Sequence, residues 1–264
     1  MSAKMVMCSI LRDEEENVVD MMRSVEGLID YYCVGFDRAT TDKTEEIVRD
    51  YLKDREAFFY HFRWKNDFSW ARNLCLDMAW GEFPDAEYVF LGDGDDVLHP
   101  MSRPLIQGWK ENPHPNYLVL NAFVYLDPDP YGVPMLFYPR CTILAADPKI
   151  RFKFASHNVI EAGSDEQLLI RDFVIIHRQK PRKRAYREQQ RLEMNIPNLE
   201  AQAEGSDEPA RPLFYKGNTE LDAGLYAEAE QSFTTYLERS VWHEERYQAM
   251  LHLATLRMLA GDAD

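Results

Sequence analysis

Four short apolar runs, Met5–Leu11, Tyr31–Phe36, Ala57–Phe62 and Glu87–Leu91, alternate with stretches whose apolar residues recur at helical spacing. Runs of this length with little polar alternation predict strands buried on both faces. Between them Val18, Met22, Val25 and Ile29, then Ile47, Val48, Tyr51 and Leu52, then Ala71, Leu74, Cys75 and Met78 predict helices with one apolar face. Asp13 with Glu16, and Asp42 with Glu45, have the spacing of helix-capping pairs. Strand–helix alternation predicts parallel strands joined by right-handed crossovers. Every strand then sends its C-terminal end to one edge of the sheet. That edge collects Arg12, Asp13, Asp37, the Trp64–Asp67 turn and the Asp93–Asp96 turn.

The last of these turns is the densest in chemistry. Asp93, Asp95 and Asp96 follow the apolar run directly, with Gly94 between the first two. Carboxylates this close repel one another unless a cation lies among them, and hard oxygen ligands suit Mg²⁺ or Mn²⁺, usually shared with a substrate phosphate. Open α/β sheets bind ligands in the crevice beyond the strand ends. Asp-Gly after a strand is also an ordinary turn former, so the motif gains its weight from the rest of the chain. Asp95 is expected at an exposed cleft edge.

Composition narrows the class. The chain has 264 residues, 45% of them apolar, enough for one large domain or one domain and a smaller companion. A net charge of −15 counts against general nucleic-acid binding, which needs a positive field. Cys8, Cys33, Cys75 and Cys141 fall in apolar surroundings with no C-x-x-C pair, which predicts buried, reduced thiols. No signal-peptide pattern and no membrane-spanning apolar stretch are present, so a soluble cytoplasmic protein is expected.

After Pro100 the pattern changes. A helix is expected over Arg103–Glu111, then strands over Tyr117–Tyr125, Val133–Tyr138, Cys141–Ala145 and Leu168–Ile176, the last ending at His177. From Pro181 the composition turns helical, opening on a basic stretch from Arg178 to Arg191, with a linker expected over Gly205–Pro212. Leu221, Gly224, Tyr226, Ala229 and Phe233 follow a tetratricopeptide-like pattern, small residues at a helix crossing and aromatics filling the gap. The expected division is therefore 1–180 for an α/β domain and 181–264 for a helical, TPR-like region.

Four motifs in order carry a resemblance: Leu11-Arg12-Asp13-Glu14-Glu15-Glu16-Asn17; Asp37-x-x-Thr40-Thr41-Asp42-Lys43-Thr44; Trp64-x-x-Asp67-Phe68-x-x-Ala71-Arg72-Asn73; and Asp93-Gly94-Asp95-Asp96. Together they resemble the inverting family-2 glycosyltransferases of GT-A fold, in the bacterial subgroup with tetratricopeptide helices behind the catalytic domain. The resemblance implies an α/β, Rossmann-like mixed sheet with flanking helices, then a small α-helical region. It implies a nucleotide-diphosphate sugar as donor, commonly a UDP-sugar, and transfer to an acceptor hydroxyl with inversion. It places Leu11 and Arg12 against the nucleobase and ribose, Asp37 on the base, Asp67 and Arg72 toward the diphosphate and sugar, and Asp96 near the sugar hydroxyls. Asp93, Asp95 and His177 are the implied ligands of Mn²⁺ or Mg²⁺. Asp67 also suits a plain helix cap, and Arg72 a partner for it.

The chain departs from the pattern at two places. His157-Asn158 stands where the subgroup often has His-Glu, so the base is open among His157, Glu161 and Asp165. Arg38-Ala39 replaces small residues and a glycine. The missing glutamate keeps open a degenerate, partner-binding module; a nucleotidyltransferase or phosphohydrolase is the other alternative, disfavoured by the lack of a Gly-rich loop after the first strand. For the acceptor, the net charge and the helical region favour a protein or glycan over nucleic acid, and the C-terminal helices suit self-association.

Overall fold

The computed structural model describes residues 2–114, 117–128, 134–160, 166–178, 191–205 and 210–260. The chain divides into two compact units: residues 1–153 with 158–179, and residues 154–157 with 180–264.

The first unit is built on an eight-stranded mixed sheet with helices on its faces. In chain order its elements are β1 (Met5–Leu11), α1 (Val18–Ser24), β2 (Tyr31–Asp37), α2 (Thr44–Tyr51), β3 (Ala57–Phe62), α3 (Phe68–Glu82), β4 (Tyr88–Leu91), β5 (Asp96–Leu98), α4 (Arg103–Glu111), β6 (Val119–Pro128), β7 (Pro134–Ala145), the short pair β8 (Phe152–Lys153) and β9 (Val159–Ile160), and β10 (Gln167–His177). The sheet order is β3-β2-β1-β4-β7-β6-β10-β5. β1 to β4 run parallel, as their buried sequences predict, while β7 is antiparallel to both β4 and β6. β1 shows why. Met5, Met7 and Leu11 pack into a core with α1, α2 and α4, while Val6 and Cys8 pack with α3 on the other face.

The local signals are partly rewritten by tertiary contacts. α1 ends at Ser24, short of the expected Val25 and Ile29, because the chain turns at Gly27 in the left-handed region (φ +77°). Asp13 does not cap α1. Its carboxylate accepts from the Thr41 and Asp42 backbone N–H groups at 2.7 and 3.3 Å, and so ties the loop after β1 to the loop after β2. Asp42 lies one residue before the N-cap Lys43, and its carboxylate accepts from the backbone N–H of Thr44, the first residue of α2, at 2.9 Å. Cys8, Cys33, Cys75 and Cys141 are free thiols, the first three buried.

The strands expected over Val133–Tyr138 and Cys141–Ala145 are one strand, β7, running through Pro139 and Arg140 from Pro134; Val133 lies outside the described residues. Pro139 stands opposite Phe123 of β6 and beyond the stretch, Ile143 to Ala145, over which β7 pairs with β4. No ladder bond to β4 is therefore asked of its missing N–H.

In the second unit α5 (Ile196–Gly205) precedes α6 (Ala210–Asp222), α7 (Tyr226–Arg239) and α8 (His243–Ala260). Ala229, Phe233 and Tyr236 are fully buried between α6 and its neighbours. Gly224 is not at the helix crossing. It forms the α6–α7 turn at φ +76°, with Leu225 N–H donating to the Glu220 carbonyl. The small residue at the crossing is Gly217, where a Cβ would stand 2.7 Å from the Phe233 ring.

Candidate active site

The loops after β1, β2 and β3 enclose a cleft of about 340 Å³ lined by Arg12, Asp37, Arg38, Ala39, Arg63 and Trp64. Asp37, at the end of β2, is only 4% exposed. Its carboxylate accepts from the Ala39 and Trp64 backbone N–H groups at 3.2 and 3.3 Å and from Arg12 at 3.3 Å. One buried acid thus joins three loops, with arginines and an indole around it. Leu11 is buried in the core and does not line this cleft. Asp67 caps α3, accepting from the Trp70 backbone N–H at 2.9 Å and the Ser69 hydroxyl at 2.7 Å.

Along the same edge, β4 gives way to the acidic turn. Gly92 N–H still donates to the Cys8 carbonyl, and Asp96 N–H donates back to the Asp93 carbonyl at 3.0 Å. Gly94 packs against the first loop so closely that a Cβ would lie 2.5 Å from Glu14 Cγ and 3.0 Å from Leu11 Cδ2. β5 pairs antiparallel with β10 and places Asp96 directly opposite His177. The His177 Nδ1 is 2.9 Å from Asp96 Oδ1 and 3.4 Å from Asp95 Oδ1.

Asp93 faces elsewhere. Arg72 from α3 donates to both of its oxygens at 3.1 Å, and Arg140 from β7 donates to Oδ2 at 3.2 Å. The other Nη of Arg140 bonds Asp96 Oδ2. The side chains form one alternating run of charge: Arg72, Asp93, Arg140, Asp96, His177, Asp95.

This run sets the protonation of the turn. Burial disfavours the charged form of Asp93, but Arg72, Arg140 and His177 outweigh it and hold the carboxyl at about 2. Asp95 is 9% exposed, not at an exposed edge as the sequence suggests. Burial raises it to about 6; His177 opposes the shift, while Glu14, Asp96 and Asp93 add like charge. Burial would lower His177, yet its bond to Asp96 and the nearby acid charges carry it above its usual value.

One ligand atom from each of Asp95, Asp96 and His177 lies within 4.8 Å of the others. Two carboxylate oxygens and an imidazole nitrogen form a donor set that fits Mn²⁺ or Mg²⁺. The geometry differs from the expected set in one member. Asp96, expected near sugar hydroxyls, stands in the cluster, and Asp93, expected in it, is held by two guanidiniums. Arg72, expected toward the diphosphate, is engaged with Asp93. Arg140 was missed because Pro-Arg inside an apolar segment reads as a break; the signal available was an arginine amid strand-forming residues, which needs an acidic partner when buried.

Of the expected base candidates, Glu161 and Asp165 lie outside the described residues, as do residues 179–190 of the basic stretch. His157 belongs to the second unit, at φ +49°, its ring stacked on Tyr215 at 4.4 Å. Surrounding protein and the charge of Arg211 push its pKa down, so the imidazole is neutral at pH 7.

Residues 10–178 match the family model described as Glycosyl transferase family 2. The chain belongs to that family. The family is one of glycosyltransferases. Among solved structures, S. aureus TarS is similar at 13% identity and a TM-score of 0.49, over 97% of this chain and 55% of that one. TarS 1-349 gives 12% identity and 0.49 over 99% and 92%. GalNAc-T7 with UDP, GalNAc and Mn²⁺ gives 11% and 0.43 over 67% and 44%. The chain thus spans about half the length of the longer TarS chain. No curated protein matched. Among the described residues, no helix is long and apolar enough to cross a membrane.

Proposed function

We propose that this family-2 enzyme moves a sugar from a nucleoside-diphosphate sugar, with uridine as the base, to an acceptor hydroxyl by a single inverting displacement that needs a divalent cation. The observation that carries the reading is the shared edge. The Asp95–Asp96–His177 cluster and the Asp37 cleft both stand at the C-terminal ends of parallel strands of one sheet.

In this reading Arg12, Asp37 and Trp64 bind the nucleoside, and Arg72 faces the diphosphate side. Asp95, Asp96 and His177 hold Mn²⁺ or Mg²⁺, which as a Lewis acid would neutralise charge on the departing nucleoside diphosphate. Burial of these residues excludes water and strengthens each of their electrostatic contacts. The acceptor proton needs a base, and His157, Glu161 and Asp165 are its candidates. The acceptor proposed is a protein or glycan. Supporting this, the helical unit exposes Trp242, Tyr247, Met250, Leu251, Met258 and Leu259, a surface suited to TPR-like binding or self-association.

Calorimetric titration with a panel of nucleoside diphosphates, with and without Mn²⁺, tests the donor site. One nucleoside diphosphate is expected to bind, and only with the cation. Equal binding in its absence would contradict the metal role, and no binding at all would contradict the donor assignment.

A further inference from the structure

Among the described residues, Arg140 is the arginine that bridges Asp93 and Asp96 of the acidic turn. Its Nη1 donates to Asp93 Oδ2 at 3.2 Å and its Nη2 bonds Asp96 Oδ2. The side chain is 20% exposed and Asp96 is 4% exposed. The second oxygen of Asp96, Oδ1, is the one that faces His177 at 2.9 Å. One carboxylate is therefore gripped by its far oxygen and presents its near oxygen to the cluster. Asp93, itself fixed by Arg72, anchors the other arm of the fork.

We propose that Arg140 is a positioning residue for the cation site, locking the Asp96 carboxylate through Oδ2 so that Oδ1 stands ready beside Asp95 and His177. The inference rests on the metal reading above. It does not make Arg140 a ligand, and it assigns the guanidinium no contact with donor.

Two effects of opposite sign make the idea testable. A positive charge beside the cluster repels a divalent cation, so charge alone would have Arg140 weaken binding. Orientation works the other way: groups that fix a metal ligand typically contribute about 10–100-fold in affinity. Lysine separates the two. It keeps the charge, but its ammonium is a point donor on a flexible stem and cannot reproduce a planar fork spanning two carboxylates.

The experiment is calorimetric titration of Mn²⁺ alone, without donor, into wild type, Arg140→Lys and Arg140→Gln, with thermal melting of each. Both variants are expected to lose about tenfold or more in Mn²⁺ affinity, even though the neutral one has shed a repelling charge. If Arg140→Gln does not fold, Arg140→Lys carries the test, since it keeps a cation between Asp93 and Asp96. Wild-type affinity in Arg140→Lys, even with a lowered melting temperature, or tighter binding in Arg140→Gln, would overturn the inference and leave the metal site standing. A wild-type protein that binds no Mn²⁺ would overturn the metal reading itself.

Discussion

At the scale of single residues, Asp95 carries the sharpest conflict between folding and chemistry. Its carboxyl stands at about 6, above its ordinary 3.8, chiefly because it is buried. For an acid raised by folding, the charged form costs stability above the folded pKa, and the cost fades as pH falls toward the unfolded value. Two units correspond to roughly 3 kcal/mol, net of the attraction to His177, of which a buried amide, itself polar, would recover only part. Asp95→Asn in metal-free buffer is therefore expected to be about 1–2 kcal/mol more stable than wild type at pH 7.5, with the gain vanishing near pH 4. The same variant should lose Mn²⁺ binding. In wild type, Mn²⁺ affinity should fall as pH drops, first as His177, held above its ordinary value by its acidic neighbours, takes up a proton and then through about 6 as Asp95 does. Calorimetric melts across pH check the first expectation; an Asn variant less stable at pH 7.5 would show that Asp95 is held by contacts that favour its charge.

At the scale of elements, the site depends on how one turn leaves the sheet. β4 stops at Leu91 and the chain passes through Gly92, Asp93, Gly94 and Asp95 before β5 re-enters against β10. Glycine at position 94 lets the turn lie directly on Glu14 and Leu11. Gly94→Ala would put a methyl group into that contact and push the acidic turn off the first loop. A cost of about 1–3 kcal/mol is expected for such overpacking, with Mn²⁺ affinity reduced at least tenfold, read from a melt and a titration of the same sample. A stabilised variant with intact Mn²⁺ binding would mean that the turn has slack.

How much of this was legible in the chain follows from the same elements. β1 and β3 could be read to the residue because strands buried on both faces are written as apolar runs. A helix expected over Arg103–Glu111 is α4. β7 was split in the reading because Pro139 and Arg140 look like a turn, and only the early end of β4 explains why they are not. That one misreading hid Arg140. That Asp96 rather than Asp93 faces His177 was hidden for a related reason: spacing places acids on a turn, but the pairing of β5 with β10 decides which of them meets the histidine.

For the whole molecule, the first unit brings residues from several separate elements and loops to one edge, and the second has a helix, α8, that exposes apolar side chains. The central proposal is that a divalent cation would be held by Asp95, Asp96 and His177. The most direct test is a crystal structure of the protein soaked with Mn²⁺ and a nucleoside diphosphate, with the ion located by its anomalous scattering. The account expects one peak in coordinating contact with Asp95, Asp96 and His177, and with Asp93 still bridged by Arg72 and Arg140. A peak coordinated by Asp93, or an occupied nucleotide cleft with no ion at the cluster, would contradict it.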